Sequence, residues 1–456
     1  MQQNTTTITE GVIWKQLLKF FFPILLGAFF QQMYNTADAI IVGRFVGTQA
    51  LAAVGSTSAL VNLIDGFFLG LSTGASVMIS QYYGAHDRKG VNRALCTGLV
   101  LAVFLGIMAV MIGVFSSPKL LHLIKTPQSC LDDAIRYAAI YFSGSAFTIV
   151  YNMGAGILRA MGDSKRPLYF LITTCFTNIF LDLLFVVVFN QGIAGAAAAT
   201  VLSQCISSVL VITCIFRLPG DIRPSLRKLS VDPVLLRRIL LIGIPAGLQF
   251  VTFDLSNLLV QSGINSFGDI TVAAWAAYAK TDSLTWMVSG AFGVSITTFV
   301  GQNFGAQKYD RIRKGVWTCL GMSIVAQLLI SGFVLTFREL ILGIYTTDTE
   351  VIRVGAYAML WIVPFNALFM FVEVFAGTMR GTGYSVMPTV ITGSCVCLFR
   401  ILWVLTALPR YHTIEVLCIA YPLSWIIAST VFLIVYLRGN WFRKRIEACG
   451  MPPENV

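Results

Sequence analysis

Charge is scarce in this 456-residue chain: Asp, Glu, Lys and Arg make up 12% of it, against 56% hydrophobic residues. A soluble domain carries roughly twice that charged fraction. So little polar surface cannot cover a water-soluble globule of this size. Histidine is nearly absent too. The three present, His86, His122 and His412, fall in connecting segments, which leaves no His-metal constellation in the apolar stretches. The ten cysteines are scattered, and Cys395 and Cys397 form CxC, not CxxC. Neither a metal site nor a disulfide framework is indicated. No GxxxxGK[ST] occurs, so direct ATP drive has no support. The net charge of +11 is spread over short loops with no basic domain, which argues against nucleic acid as a partner.

What the chain has in abundance is long apolar runs, such as 99–115. Core helices are shorter and broken by charged faces, and barrel strands alternate over about ten residues. These runs do neither. Each is long enough to cross a bilayer core of about 30 Å. The pattern predicts twelve spans, near 16–43, 51–80, 94–115, 133–158, 167–189, 193–216, 239–264, 272–300, 315–337, 353–379, 388–408 and 415–437. The polar start MQQNTTTITEG lacks a basic leader, so the first span reads as an uncleaved signal anchor. The longest connection, 217–238, is basic and holds Pro219, Pro224 and Pro233. It divides the chain into an N-terminal lobe (1–216), a linker (217–238), a C-terminal lobe (239–437) and a tail (438–456). With the N-terminus inside, inner segments carry 23 of the 32 lysines and arginines and outer segments seven. Both termini are therefore expected in the cytoplasm.

The two halves repeat. GILRAMGDSKRP (156–167) matches GTMRGTGYSVMP (377–388) at an offset of 221 residues, and QYYGA (81–85) matches QNFGA (302–306) at the same offset. Pro23 falls on Pro245 with one residue of slippage. Six spans per half is even, so the expected architecture is an all-α integral membrane protein of two pseudo-symmetric six-helix lobes in a parallel repeat.

Four segments carry a resemblance to a known family: FPILLGAFFQQMYNTADAIIVGR (22–44), SQYYGAHDRKG (80–90), GILRAMGDSKRP (156–167) and GIAGAAAATVLSQ (192–204). In this order and spacing they resemble the MATE (multidrug and toxic-compound extrusion) exporters over nearly the whole chain, and most closely their DinF-type branch. The resemblance implies a V of two lobes in a bacterial inner membrane. It also implies export of organic compounds, often lipophilic cations, in exchange for protons or sodium. It further implies that Asp38, Asn178, Asp182 and Thr200 form the coupling-ion site. No cofactor beyond that ion is expected, and the partners are the bilayer and small organic substrates, with the chain acting as a monomer.

The same four residues have a chemistry of their own. A charge at mid-membrane costs about 2.5–3.5 kcal/mol on insertion scales, so each needs a reason. Asn178 and Asp182 are four apart, on one helix face. Asp182 precedes the outer turn at 190–192 by about as many residues as Thr200 follows it, which sets both roughly 12 Å from the outer end. Carboxyls in low dielectric take protons readily, and carboxylate, amide and hydroxyl oxygens also suit a hard cation. Packing and capping explain the same residues without any transport role.

The C-terminal half places Asp254, Lys280, Asp282, Glu373 and Arg400 within spans. Buried bases need acids, so Lys280 and Arg400 are expected to pair with two of those three carboxylates. The repeat partners of Asn178 and Asp182 are Phe399 and Trp403, so the acidic site is not duplicated. Candidates for a substrate cavity are Tyr34, Tyr151, Met153, Trp286, Met287 and Phe292, whose rings and thioethers suit flat lipophilic cations. The competing functions are a flippase for a lipid-linked or other amphipathic substrate, for which Lys280 and Arg400 would serve an anionic headgroup, a channel, and a membrane enzyme.

Overall fold

A computed structural model of the chain describes residues 8–124, 126–225 and 230–448. Residues 226–229 of the expected linker and 449–456 of the expected tail lie outside the described residues. Every regular element among the described residues is helical. In order, α1 is Ile13–Val46, α2 Thr48–Gly84, α3 Arg88–Leu123, α4 Gln128–Ser143, α5 Ser145–Ala160, α6 Lys165–Val188, α7 Gly192–Phe216 and α8 Pro233–Asn265. Then follow α9 Asp269–Gly305, α10 Tyr309–Thr336, α11 Arg338–Gly343, α12 Thr349–Ile362, α13 Asn366–Gly381, α14 Val386–Thr406, α15 Ile414–Arg438 and α16 Trp441–Ala448.

Among the described residues, eleven stretches are long and apolar enough to cross a membrane; the α4–α5 pair is not one of them. That expected single span (133–158) is broken at Gly144, where α4 ends and α5 begins. The residue at the break has to be small: a Cβ on Gly144 would collide with the side chain of Val201 on α7. The equivalent expected span in the second half (353–379) is broken by a 3₁₀ turn at Val363–Phe365, centred on Pro364. Proline there removes a helical donor and its ring displaces the preceding turn.

The repeat read from the sequence is written in the backbone as well. Left-handed residues recur at the 221-residue offset: Gly47 (φ +123°) with Gly268 (+86°), His86 (+56°) with Gln307 (+57°), and Gly162 (+87°) with Gly383 (+84°). Each pair ends one helix and turns into the next. His86 and Gln307 bear a Cβ in a conformation that favours glycine, so the turn is held by its surroundings in both halves.

The chain parts into two compact units. One holds Phe22–Val251 with Ile8, and the other Thr9–Phe21 with the chain from Thr252 onward. The parting falls within α1 and α8. The first half of α8 stays in the first unit because of glycine. GLSTG (70–74) on α2 and GIPAG (243–247) on α8 oppose one another. A Cβ on Gly70 would collide with the backbone of Gly247, and one on Gly74 with that of Ile239 and Gly243. Small residues four apart let two helix backbones touch, which is how helices associate where lipid removes the hydrophobic drive.

Surface and interior follow the same solvent. Phe104, Phe115, Phe180 and Leu329 are each more than half exposed, while Thr57, Ser117, Ser203, Ser207, Ser323 and Gln327 are fully buried. An apolar exterior over a hydroxyl- and amide-bearing interior is stable in lipid and unstable in water.

Candidate functional site

The first unit gathers a chamber of acids and hydroxyls. Asp38 on α1, Asn178 and Asp182 on α6, and Thr200 on α7 are all buried, the α6 pair completely. α6 and α7 pack along one another, joined by the short reversal at 189–191, in which Asn190 is left-handed. Tyr34, one turn before Asp38, accepts a hydrogen bond from Gln204 Nε2 at 3.4 Å. Phe30 lies 6.4 Å from Phe176. Helix α1 therefore packs beside α6 and α7, a placement that spacing alone did not provide. Asp38 and Asp182 interact electrostatically.

The helices lose their regular pitch beside the two acids. α1 becomes π-helical over Val42–Val46, just after Asp38, and α6 over Leu183–Val188, starting at the residue after Asp182. Bonds such as Gly47 N to Val42 O (3.1 Å) and Phe189 N to Leu184 O (2.9 Å) span five residues. Such wide turns rotate the following helix face and concentrate at functional positions. Neither stretch recurs at the equivalent place in the second half, where the third π-helical stretch is Gly393–Leu398.

The polar atoms of this chamber are unusual in lacking partners. Asp38 Oδ1, both oxygens of Asp182 and both amide atoms of Asn178 are buried without a hydrogen bond. No ion pair reaches these carboxylates among the described residues. Thr200 donates to Ala196 O at 3.2 Å, which leaves its oxygen free to accept. Each orphan buried polar atom costs about 1–3 kcal/mol, more when charged. A fold that keeps several together provides oxygen ligands for a cation or an acceptor for a proton.

Four residues of the chamber were missed from the sequence. Tyr137, on α4, is buried and interacts with Asp38, Asp182 and Tyr34. Tyr141, one turn later, donates from its hydroxyl to Asp65 Oδ2 at 2.9 Å. Asp65, on α2, keeps its other oxygen buried and unpartnered, and Tyr34 lies within electrostatic reach of both Asp65 and Asp38. Gln204 completes the set. The signal was available: Asp65 is an acid within the apolar run LVNLIDGFFLG (60–70), and Tyr137 and Tyr141 share the four-residue spacing of Asn178 and Asp182.

The charges of the second unit do not pair as expected. Glu373 pairs with Arg380 at 3.5 Å. Asp282 accepts from Trp286 Nε1 at 2.7 Å and from Asn366 Nδ2 at 3.5 Å. Lys280 is exposed, and neither it nor Arg400 forms an ion pair among the described residues. Arg400 is nonetheless almost completely buried. Its Nε donates to Ser424 Oγ at 3.0 Å, and its guanidinium lies 4.1 Å from the ring centre of Tyr421 and 5.6 Å from that of Trp425. Aromatic faces and longer-range attraction to Asp282 compensate the charge in place of a contact with an acid. Asp254 is half-buried and takes no part in an ion pair among the described residues.

Of the cavity candidates, Met153 is wholly in the core, Tyr151 donates to Pro167 O at 3.2 Å, and Phe292 stacks on Phe21 at 4.2 Å. These three are interior packing. Tyr34 belongs to the acidic chamber. Trp286 and Met287 are the more exposed members of the set.

A family profile for MatE matches residues 23–184 and 245–405, one match in each half. The chain is 30% identical to the probable multidrug resistance protein YoeA of Bacillus subtilis, over 95% of each chain. It is 25% identical to the probable multidrug resistance protein NorM of Thermotoga maritima, over 95% of this chain and 94% of that one. Among solved structures, a MOP-superfamily transporter from Pyrococcus furiosus matches with a TM-score of 0.89 at 21% identity, covering 99% of this chain and 100% of that one. A multidrug resistance MATE transporter in an outward-facing conformation matches with a TM-score of 0.88 at 22% identity, covering 98% and 99%.

Proposed function

We propose that this chain, which belongs to the MATE family and is therefore a transporter and not an enzyme, exports organic compounds in exchange for protons or sodium ions. One observation carries the reading: Asp38, Asn178 and Asp182 hold buried, unpartnered oxygen and nitrogen atoms in one chamber of the first unit. Two interacting carboxyls out of water cannot both stay ionised cheaply. The pair either takes a proton or closes on a sodium ion, with Asn178, Thr200 and Tyr137 supplying further oxygens. Loading the site lifts the penalty of its orphan atoms and favours the conformation that buries them. A ligand with different affinity for two conformations shifts their balance, and this is the link between ion entry and substrate exit. The substrates suggested by the curated relatives are drugs. The four matching positions support the DinF-type branch, and the lysine and arginine bias supports cytoplasmic termini in a bacterial cell membrane, with the chain working as a monomer.

The test is export of a fluorescent lipophilic cation from proteoliposomes under imposed proton or sodium gradients. Asp38→Asn and Asp182→Asn are expected to reduce gradient-driven export to the level of empty vesicles while the protein stays folded. The gradient that drives the wild type identifies the ion. Undiminished export in both variants would refute the chamber as the coupling site.

A further inference from the structure

A cavity lies within the second unit, where α10, α13, α15 and α16 meet. Its volume is about 640 Å³, in the range of about 300–1,000 Å³ that holds small ligands. Its polar lining includes Arg313 on α10, Thr378 on α13, Asn440, and Arg443 on α16. The floor is aromatic: Tyr436 stacks on Phe375 at 4.7 Å, and Trp317 and Trp441 stand 6.0 and 6.1 Å from Tyr436.

The lining is basic. Arg313 is exposed and forms no ion pair among the described residues. Arg443 brings a second guanidinium, which Glu447 bonds at 3.1 Å. Two guanidiniums against one bonded carboxylate disfavour the lipophilic cations considered above and favour an anion rich in acceptors.

The surroundings decide which anion. The cavity sits at the ends of two membrane-spanning helices, at the start of α10 and past the end of α15. On its rim Leu437 is 62% and Trp317 46% exposed, apolar surface that suits acyl chains. Arg445 Nε donates to Thr382 O at 2.8 Å and so ties α16 to the end of α13. We infer that this cavity binds the headgroup of an anionic phospholipid, its phosphodiester held by Arg313 and Arg443 and its chains lying along α15. Clusters of basic residues at the end of a spanning helix recognise anionic lipid by the same electrostatics.

The experiment uses the full-length protein, delipidated in detergent, with binding of phosphatidylglycerol followed by native mass spectrometry. The wild type is expected to retain phosphatidylglycerol and not phosphatidylcholine. Arg313→Gln with Arg443→Gln should weaken retention by about tenfold or more, the effect of losing charge-assisted bonds to phosphate. The thermal melt of each variant verifies folding. Removing two charges elsewhere, by Arg88→Gln with Lys89→Gln, should leave retention unchanged. Equal loss in that control would reveal diffuse attraction and overturn the inference. So would equally tight binding of free glycerol 3-phosphate, which would make the occupant a soluble phosphate.

Discussion

The two halves of this chain are built on one repeated scaffold and have filled it with opposite chemistry. Counting 221 residues along from the acidic chamber, Asp65 becomes Trp286, Asp182 becomes Trp403, Thr200 becomes Tyr421 and Gln204 becomes Trp425. Small oxygen-bearing side chains have been exchanged for rings. The guanidinium of Arg400 lies on the faces of two of those rings, Tyr421 and Trp425. Trp403 is satisfied by donating to Val416 O at 2.7 Å. The second half thus carries a cation covalently, in a cradle equivalent to the one that presents unpartnered oxygens in the first half. On the reading above, the first half takes up a mobile cation and the second has no room or need for one. Duplication supplied the frame, and on that reading the divergence of a few side chains assigns ion coupling to the first half.

The contrast is broken most directly by removing the charge on each side and reading stability. Arg400→Ala should lower the unfolding free energy by about 3 kcal/mol. A desolvated cation–π contact contributes ~2 kcal/mol, and the cavity left in a packed site adds to that. Asp182→Asn should leave the melting temperature unchanged or higher, because a buried carboxylate with no partner becomes a neutral amide, and the unpartnered Asn178 oxygen one turn away can accept from it. Thermal melts in detergent decide it. If Arg400→Ala melts like the wild type while Asp182→Asn collapses, the static and mobile roles are assigned the wrong way round.

A finer division lies within the acidic chamber. Asp65 is less buried than Asp182 and already accepts from Tyr141. Asp65→Asn keeps an oxygen for that bond. It should slow gradient-driven export by about two- to fivefold, the scale of one perturbed hydrogen bond, without changing which ion drives it. A loss as complete as that expected for Asp182→Asn would extend the coupling site to α2.

Much of this was legible in the chain. Apolar runs gave the twelve spans, and the GILRAMGDSKRP and GTMRGTGYSVMP segments gave the repeat, which Gly162 and Gly383 then repeat in their backbone angles. Asp38 and Asp182 stood out because charge in an apolar run is costly. What stayed hidden depended on neighbours distant in sequence. The need for glycine at 144 comes from Val201, and the close approach of α8 to α2 comes from glycines meeting face to face. Arg400 looked like a base in want of an acid because pairing is the rule for buried charge. Nothing along the chain shows that Tyr421 and Trp425 turn their faces to it.

The smallest effect is expected at the link between the arginine cage and Asp282. Trp286→Phe removes the 2.7 Å indole bond to that carboxylate but keeps a ring against Phe253 and Phe369. Asn366 still donates, so the loss should be about 1 kcal/mol, with export unchanged. Trp286 never touches Arg400 directly; Asp282, which one bonds and the other attracts, joins them, as does the ring chain from Trp286 through Phe369 to Trp425, whose first contact the Phe variant keeps. Combining Trp286→Phe with Arg400→Ala should therefore be non-additive by about 0.5 kcal/mol or more. Strict additivity in the melts would mean that Asp282 does not join them, and that the rings alone hold the arginine in place.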